Sequence, residues 1–237
     1  MTTDDLLSKM TLTDKDIIEI ERSTVGQSSN PLWFKIRKGR ITASNFYRVY
    51  TKMESIKKDD SISCDSLLNS LINPTPLGHL HHIQQGSNLE QYALEKLQAV
   101  LADQGHKNVI IKPCGLFLDK KYPFLGASPD GIISCDCCNE RLIEVKCPTT
   151  ELASLPYLDN AKKLKAKSAY YGQVQGQLMI TGIKESRFFI YYKDGECSLQ
   201  LLKRDNIFCK KLLTNLHYFF NLYMAPQLLM RRKRKLM

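Results

Sequence analysis

The stretch Leu142-Ile143-Glu144-Val145-Lys146-Cys147-Pro148, with Ser128-Pro129-Asp130-Gly131-Ile132-Ile133 upstream of it, decides how this chain is read. Residues 142–147 alternate and are rich in strand formers, and Pro148 ends the run because it has no amide to continue a ladder. Side chains on a strand point to opposite faces in turn, so Glu144 and Lys146 share one face while Ile143 and Val145 share the other. Taken alone, an acid and a lysine two residues apart fit a surface ion pair as well as a reactive site. Pro129-Asp130-Gly131 is turn chemistry that starts another strand. A hairpin from Asp130 to Glu144, fourteen residues apart, brings the two carboxylates together.

Working outward, further strands are predicted at Val109–Ile111, Gly115–Leu118 and Leu125–Ala127. Arg187–Tyr192 and Ser198–Leu202 read as a pair turned at Asp194-Gly195. Thr13-x-x-Asp16 resembles a capping box and opens a helix over 14–23. A second helix is capped by Thr42 or Ser44, and residues 51–63 read as a polar surface loop. A short helix near 65–72 ends at Asn73-Pro74, another spans 167–181, and a long one starts at Asp205. In the last, Phe208, Leu212, Leu216, Phe219 and Tyr223 recur at core spacing. From Leu89 onward, steps of about 100° per residue put Leu89, Ala93, Leu94, Leu97, Val100 and Leu101 on one arc. Glu90 falls inside that arc, where a carboxylate is costly without a partner: either a core salt bridge or a functional acid. The order of elements gives an α/β (α+β) domain built on one sheet.

With 237 residues, 43% hydrophobic and 24% charged, the chain suits one core, expected over residues 1–230, with a basic tail at 231–237. This composition excludes a disordered or collagen-like chain. No run approaches the roughly 18 apolar residues of a membrane span. Met1 to Met10 is polar, with Asp4 and Asp5, so a secretory signal is not expected and the protein is read as intracellular. Of the net charge of +10, five positive charges sit in the tail (Arg231, Arg232, Lys233, Arg234, Lys235), leaving about +5 for the body. The tail reads as a nuclear import signal, a phosphate-backbone tether or a solvated end. Eight cysteines without a regular framework are expected to be reduced thiols. Cys135-x-Cys137-Cys138 lacks a second paired unit, so a polar hairpin loop with dispensable thiols is favoured over a metal site. His79, His81 and His82 fit a helix surface as well as a metal.

Two convergent carboxylates and a lysine make sense for phosphodiester hydrolysis. Carboxylate oxygens hold Mg²⁺, a hard cation, and the metal polarises the phosphate and activates water. The lysine offsets charge developing on the phosphate. Glu90 would then be a third acid.

The pattern Pro129-Asp130, then Glu144-x-Lys146, resembles the PD-(D/E)xK nucleases. Trp33-Phe-Lys-Ile-Arg37, Ile41-Thr-Ala-Ser44, Gly86-x-x-x-Glu90, Ser128-Pro-Asp130-Gly131, Glu144-Val-Lys146-Cys147-Pro148 and Ser168-Ala-Tyr170-x-x-Gln173-Val-Gln175 together resemble the YqaJ viral recombinase family, which includes phage lambda exonuclease. These blocks occur in the family's order over about residues 33–193. The resemblance implies a restriction-endonuclease-like core, a central mixed β-sheet flanked by helices. It implies a DNA exonuclease using Mg²⁺ (Mn²⁺ as an alternative) and acting 5′→3′ on linear double-stranded DNA, in recombination or repair. By the same resemblance, Asp130, Glu144, the carbonyl of Val145 and Glu90 serve the metals. Lys146 positions the nucleophilic water, and Gln173 supports it. Arg37 and Ser44 hold the 5′-phosphate, and Asp119 is a supporting acid or else a loop carboxylate beside Lys120. Tyr170, Gln173 and Gln177 fall within an arc of about 60° on their helix, so they can face the site together. Family members form ring trimers, and a single-strand annealing protein is an expected partner. The segment Ser134–Arg141 has no counterpart in the pattern, which puts the local hairpin in question. The rival readings are a structure- or site-specific endonuclease on the same core and a catalytically inactive DNA-binding relative.

Overall fold

The computed structural model describes residues 2–73, 81–192 and 195–234, with the side chains of 81–88 and 232–234 excepted. The His79, His81 and His82 cluster, Asp194 and most of the basic tail's side chains lie outside the described residues.

The chain opens with α1 (Thr3–Ser8) and α2 (Asp14–Ser23). Each has a reciprocal capping box, Thr2 with Asp5 and Thr13 with Asp16. Aspartate closes these boxes in place of the longer glutamate. α3 (Pro31–Arg37) starts where Asn30 accepts from the Leu32 amide at 3.0 Å, with Pro31 in the first turn, where its missing N–H costs nothing. The two-residue strand β1 (Ile41–Thr42) leads into α4 (Ala43–Ile56), so the loop expected from residue 51 is corrected: its first six residues are helical. Phe46, Val49 and Met53 form a narrow buried stripe that holds this end of α4 down. With so few apolar residues, the polar composition hid the helix. α5 (Asp65–Ile72) and α6 (His81–Asp103) follow, and Ala93, Leu97 and Leu101 of α6 are buried.

Among the described residues there are two sheets where one was expected. The main sheet has the order β2 (Ile110–Pro113), β5 (Gly131–Cys135), β6 (Cys138–Lys146), β7 (Glu185–Tyr191), β8 (Cys197–Lys203). All its neighbours are antiparallel except β6 and β7, which are joined by the crossover helix α7 (Ala169–Thr181). β2 is an edge strand, which is why it tolerates Pro113. The smaller sheet pairs β4 (Leu125–Ala127) in parallel with β1 and antiparallel with β3 (Phe117–Leu118). The hairpin doubted because of Ser134–Arg141 does form. β6 starts at Cys138 rather than Leu142, and a two-residue turn, Asp136-Cys137, closes it.

β6 is packed on both faces. Leu142 joins Val174 and Leu178 of α7, while Ile143 and Val145 join Ala93, Leu97 and Leu101 of α6. α7 in turn lies close against α4. A Cβ added at Gly172 would stand 2.7 Å from Tyr47 Cβ, and one at Gly176 would stand 2.4 Å from Phe46 Cδ2. Glycine is required there by the approach of the two helices. α8 (Asn206–Phe219), a π-turn (Phe220–Met224) and α9 (Ala225–Arg234) complete the fold. Leu212, Leu216, Phe219, Phe220 and Met224 are buried in the same core as α4. α9 carries the backbone through the first part of the basic tail, and Arg231 Nη1 donates to Asn73 Oδ1 at 2.6 Å. Among the described residues no helix is long and apolar enough to cross a membrane.

Candidate active site

The loop Ser128–Asp130 joins the two sheets, since β4 ends at Ala127 and β5 begins at Gly131. Asp130 is anchored to β6 at two points. Its amide donates to the Ile143 carbonyl at 3.1 Å, and its Oδ2 accepts from the Val145 amide at 2.6 Å. The hairpin thus places Asp130 beside Glu144. Gly131 permits the close approach of β2 on the other side of β5, because a Cβ there would meet the Lys112 carbonyl oxygen at 2.9 Å.

Glu144 is 1% exposed and fully engaged by donors. Its Oε1 accepts from Gln173 Nε2 at 2.6 Å and from Lys146 Nζ, and its Oε2 accepts from Gln177 Nε2 at 2.6 Å. Gln173 and Gln177 sit one turn apart on α7, about 100° round the helix from Gly172 and Gly176. The close approach to α4 on the glycine face therefore helps to set the position of the glutamines on the neighbouring face. The Tyr170 ring lies under Lys146 Nζ at 5.1 Å and packs edge-on against Tyr157. Burial works against the Lys146 ammonium, but Glu144 and Asp130 outweigh it and hold its pKa above the ordinary lysine value. The Asp130 carboxyl is held well above the usual carboxylate range, by burial first and by the Glu144 charge next. Glu90 is also raised, again by burial first, and it is near enough to feel both Lys146 and Glu144.

The opposite wall comes from the N-terminal part. Trp33 and Arg37 are one helical turn apart on α3, and the guanidinium lies 3.6 Å from the indole centroid. Arg37 Nη2 donates to Thr42 Oγ1 at 3.0 Å, and Thr42 Oγ1 lies 3.3 Å from Ser44 Oγ. Burial lowers the Arg37 pKa to about 10, still protonated at neutral pH. Parallel pairing of β1 with β4, Thr42 opposite Gly126, carries this wall to the Ser128–Asp130 loop. Trp33 Nε1 donates to Ser128 Oγ at 2.8 Å and fixes the junction. Arg37, Thr42, Ser44, Ser128, Asp130, Glu144, Lys146, Gln173 and Gln177 all line one cleft of about 170 Å³.

Asp119 is not brought there. Its Oδ1 accepts from the Lys121 and Tyr122 amides, both at 2.8 Å, so it shapes the turn before β4, as the loop-carboxylate alternative had it. Sequence reasoning gave Thr42 only as a helix cap and assigned no role to Gln27 or Ser128; Thr42 does stand at the N-cap of α4, but its side chain makes no cap hydrogen bond. Gln27 has φ 42° and donates to the carbonyls of Pro129 at 2.8 Å and Cys114 at 3.1 Å, which braces the loop before Asp130. Nothing in its local sequence marks it. Thr42 lies inside the quoted Ile41–Ser44 block, and its contact with Arg37 follows from the strand geometry that a two-residue β1 conceals.

The donor set fits a divalent cation. Asp130 and Glu144 line the cleft beside Lys146, and Glu90 is near enough to feel both Lys146 and Glu144, so carboxylates crowd around this lysine. Gln177 Oε1, also in this cleft, is buried without a hydrogen-bond partner among the described residues. Oxygen ligands of this kind suit Mg²⁺ or Mn²⁺.

Comparison with known proteins places this geometry. The chain is 32% identical over 127 residues to the alkaline nuclease of human herpesvirus 7 (strain JI), covering 53% of this chain. It spans only 22% of that longer protein. A solved alkaline exonuclease from Laribacter hongkongensis superposes with TM-score 0.61 at 26% identity, covering 86% of this chain and 98% of that one. The fold is also shared with a phage-related exonuclease from Haemophilus somnus (TM-score 0.55, 15% identity, 81% of this chain and 96% of that one). It is shared as well with the KSHV SOX protein in complex with RNA (TM-score 0.55, 13% identity, 85% and 72%). Residues 32–184 match the YqaJ-like viral recombinase domain, and the chain belongs to that family.

Proposed function

We propose that this protein is a metal-dependent DNA exonuclease that digests linear double-stranded DNA from the 5′ end and leaves single strands for recombination or repair. One observation carries the reading: the acid–lysine set and the Arg37 wall face each other across a single cleft. The likeness to alkaline exonucleases supports it. A bound Mg²⁺, held by Asp130 and Glu144 with the Val145 carbonyl and Glu90, would polarise the phosphate and activate water. Gln173 and Gln177 hold the Glu144 carboxylate in one orientation, so no reorganisation is needed when the phosphate arrives. The Lys146 ammonium, kept protonated by its neighbours, orients the attacking water and offsets charge on the phosphate. Arg37, flat on Trp33, presents its remaining donors with Thr42 and Ser44 to a terminal phosphate, which offers more charge and more oxygens than an internal diester.

The test is digestion of matched DNAs with Mg²⁺: linear blunt duplex with 5′-phosphate or 5′-hydroxyl ends, nicked circle, closed circle and single strand. The exonuclease reading expects linear 5′-phosphorylated duplex to be degraded fastest and closed circles to survive. Equal cutting of closed circles and linear DNA would refute it in favour of an endonuclease.

A further inference from the structure

The three cysteines assigned to a loop converge on a fourth group. His106, in the connection between α6 and β2, stands with Nδ1 3.5 Å from Cys135 Sγ, 3.1 Å from Cys137 Sγ and 3.6 Å from Cys138 Sγ. The sulfurs of Cys135 and Cys137 are 3.6 Å apart, and those of Cys137 and Cys138 are 3.7 Å apart. All four atoms lie within 4.8 Å of one another. All three thiols are unbridged. Zinc–sulfur bonds near 2.3 Å and zinc–nitrogen bonds near 2.0–2.1 Å at tetrahedral angles require edges of about 3.8 Å between sulfurs and about 3.5 Å from sulfur to nitrogen. The observed edges lie close to both.

We propose that His106, Cys135, Cys137 and Cys138 form a structural zinc site at the tip of the β5–β6 hairpin. It is independent of the nuclease reading and uses none of the cleft residues. Four protein ligands leave no open position, as a structural rather than a catalytic site requires. The backbone builds it in three steps. Cys135 and Cys138 are cross-strand partners, so their side chains share a face. The ladder is irregular between Ile133 and Cys135, and the turn folds Cys137 over the pair. The loop of His106 is tied to the same turn: Asp136 N donates to the Lys107 carbonyl at 3.2 Å, and Asn108, at φ 51°, donates to Asp136 Oδ2 at 2.8 Å.

The surroundings suit three thiolates around a dication, an assembly of net charge −1. Arg141 and Arg187 line the same small cavity as His106, Cys135 and Cys138. Arg187 Nη2 lies 2.9 Å from His106 Nε2. Arginine only donates, so that contact belongs to the metal-free tautomer with the ring proton on Nδ1. With a metal on Nδ1 the neutral ring would carry its proton on Nε2, and Arg187 would then have to give its donors to the thiolates instead. The site would clamp the far end of the hairpin carrying Asp130 and Glu144 to the end of the helix carrying Glu90.

The test uses the full chain purified without chelator. Metal analysis should find one zinc per chain, and cobalt(II) in its place should show thiolate charge-transfer and tetrahedral ligand-field bands. Cys137 is exposed, so Cys137→Ser spares packing. That variant and His106→Asn should weaken zinc binding by at least the roughly 10–100-fold that loss of an outer partner costs, with circular dichroism unchanged for Cys137→Ser. Cys197→Ser and Asp130→Asn should keep the zinc. A chain that arrives without zinc and takes up neither added zinc nor cobalt overturns the proposal. So does unchanged affinity in Cys137→Ser, or loss of the zinc in Asp130→Asn.

Discussion

Replacing Gly176 by alanine tests whether the α4–α7 contact positions the glutamines on Glu144. Two effects oppose each other. Alanine is the better helix former by about 1 kcal/mol. Its Cβ, however, would stand 2.4 Å from Phe46 Cδ2 and 2.9 Å from Cε2, where carbon atoms prefer roughly 3.5–4.0 Å. One side must therefore retreat by about 1 Å. Phe46 is fully buried and cannot swing out to solvent, so the strain falls on the interface. Overpacking of this kind costs about 1–3 kcal/mol, which exceeds the propensity gain at most of its range. The expected net is a loss of about 0–2 kcal/mol. At this chain length each kcal/mol lowers Tm by roughly 2–4 °C in a thermal melt. A shift of α7 also displaces Gln173 and Gln177 relative to Glu144 and disturbs both hydrogen bonds, so nuclease turnover should fall by more than the folded fraction does. In Phe46→Leu the ring is gone, and adding Gly176→Ala there should cost less than it does in the wild type. A Gly176→Ala protein that melts higher than wild type, at full activity, would refute the argument.

Asp130→Asn keeps the shape of the side chain and its acceptor for the Val145 amide but removes one of three crowded carboxylates. The metal-free protein should melt higher than wild type while metal-dependent cleavage is lost; a variant that still cuts at the wild-type rate would remove Asp130 from the site. Lys146→Ala should lower turnover by roughly 10²–10³-fold yet still bind metal in calorimetric titration, because a protonated lysine is no ligand. Loss of metal binding with turnover retained would reverse the roles. Arg37→Ala should erase the preference for 5′-phosphorylated ends by roughly tenfold or more, the worth of a charged hydrogen bond. Its non-specific DNA binding, spread over many basic residues, should change little in a salt titration.

Much of the fold was legible because its signals are local. The capping box at Thr13, the proline after Cys147 and the regular stripe of the C-terminal helix each constrain a few residues of backbone. The alternation in Leu142–Lys146 gave the facing of Glu144 and Lys146, and the arc of Tyr170, Gln173 and Gln177 gave the face of α7. What was not legible depends on long-range pairing. The split into two sheets is decided by β1, too short to show any period, finding β4. The end of α4 is held by one buried methionine in a polar stretch. The grouping of His106 with Cys135, Cys137 and Cys138 was missed because the fourth member lies 29 residues before the first cysteine, in a loop of its own. Helix spacing left Glu90 as a core salt bridge or a functional acid, and only the fold brings it close to Lys146 and Glu144.

The junction between the two sheets has a further consequence for a nuclease working from an end. The wall that would grip a terminal phosphate belongs to the smaller sheet, and the wall that would cut belongs to the larger one. Two short connections join them covalently, residues 114–116 and 128–130, and Gln27 braces both while Trp33 braces the second. The spacing of the two walls is thus held by two short connections and the side chains that brace them. A residue inserted in either connection would move the Arg37 wall relative to the acid–lysine wall without touching a residue of either.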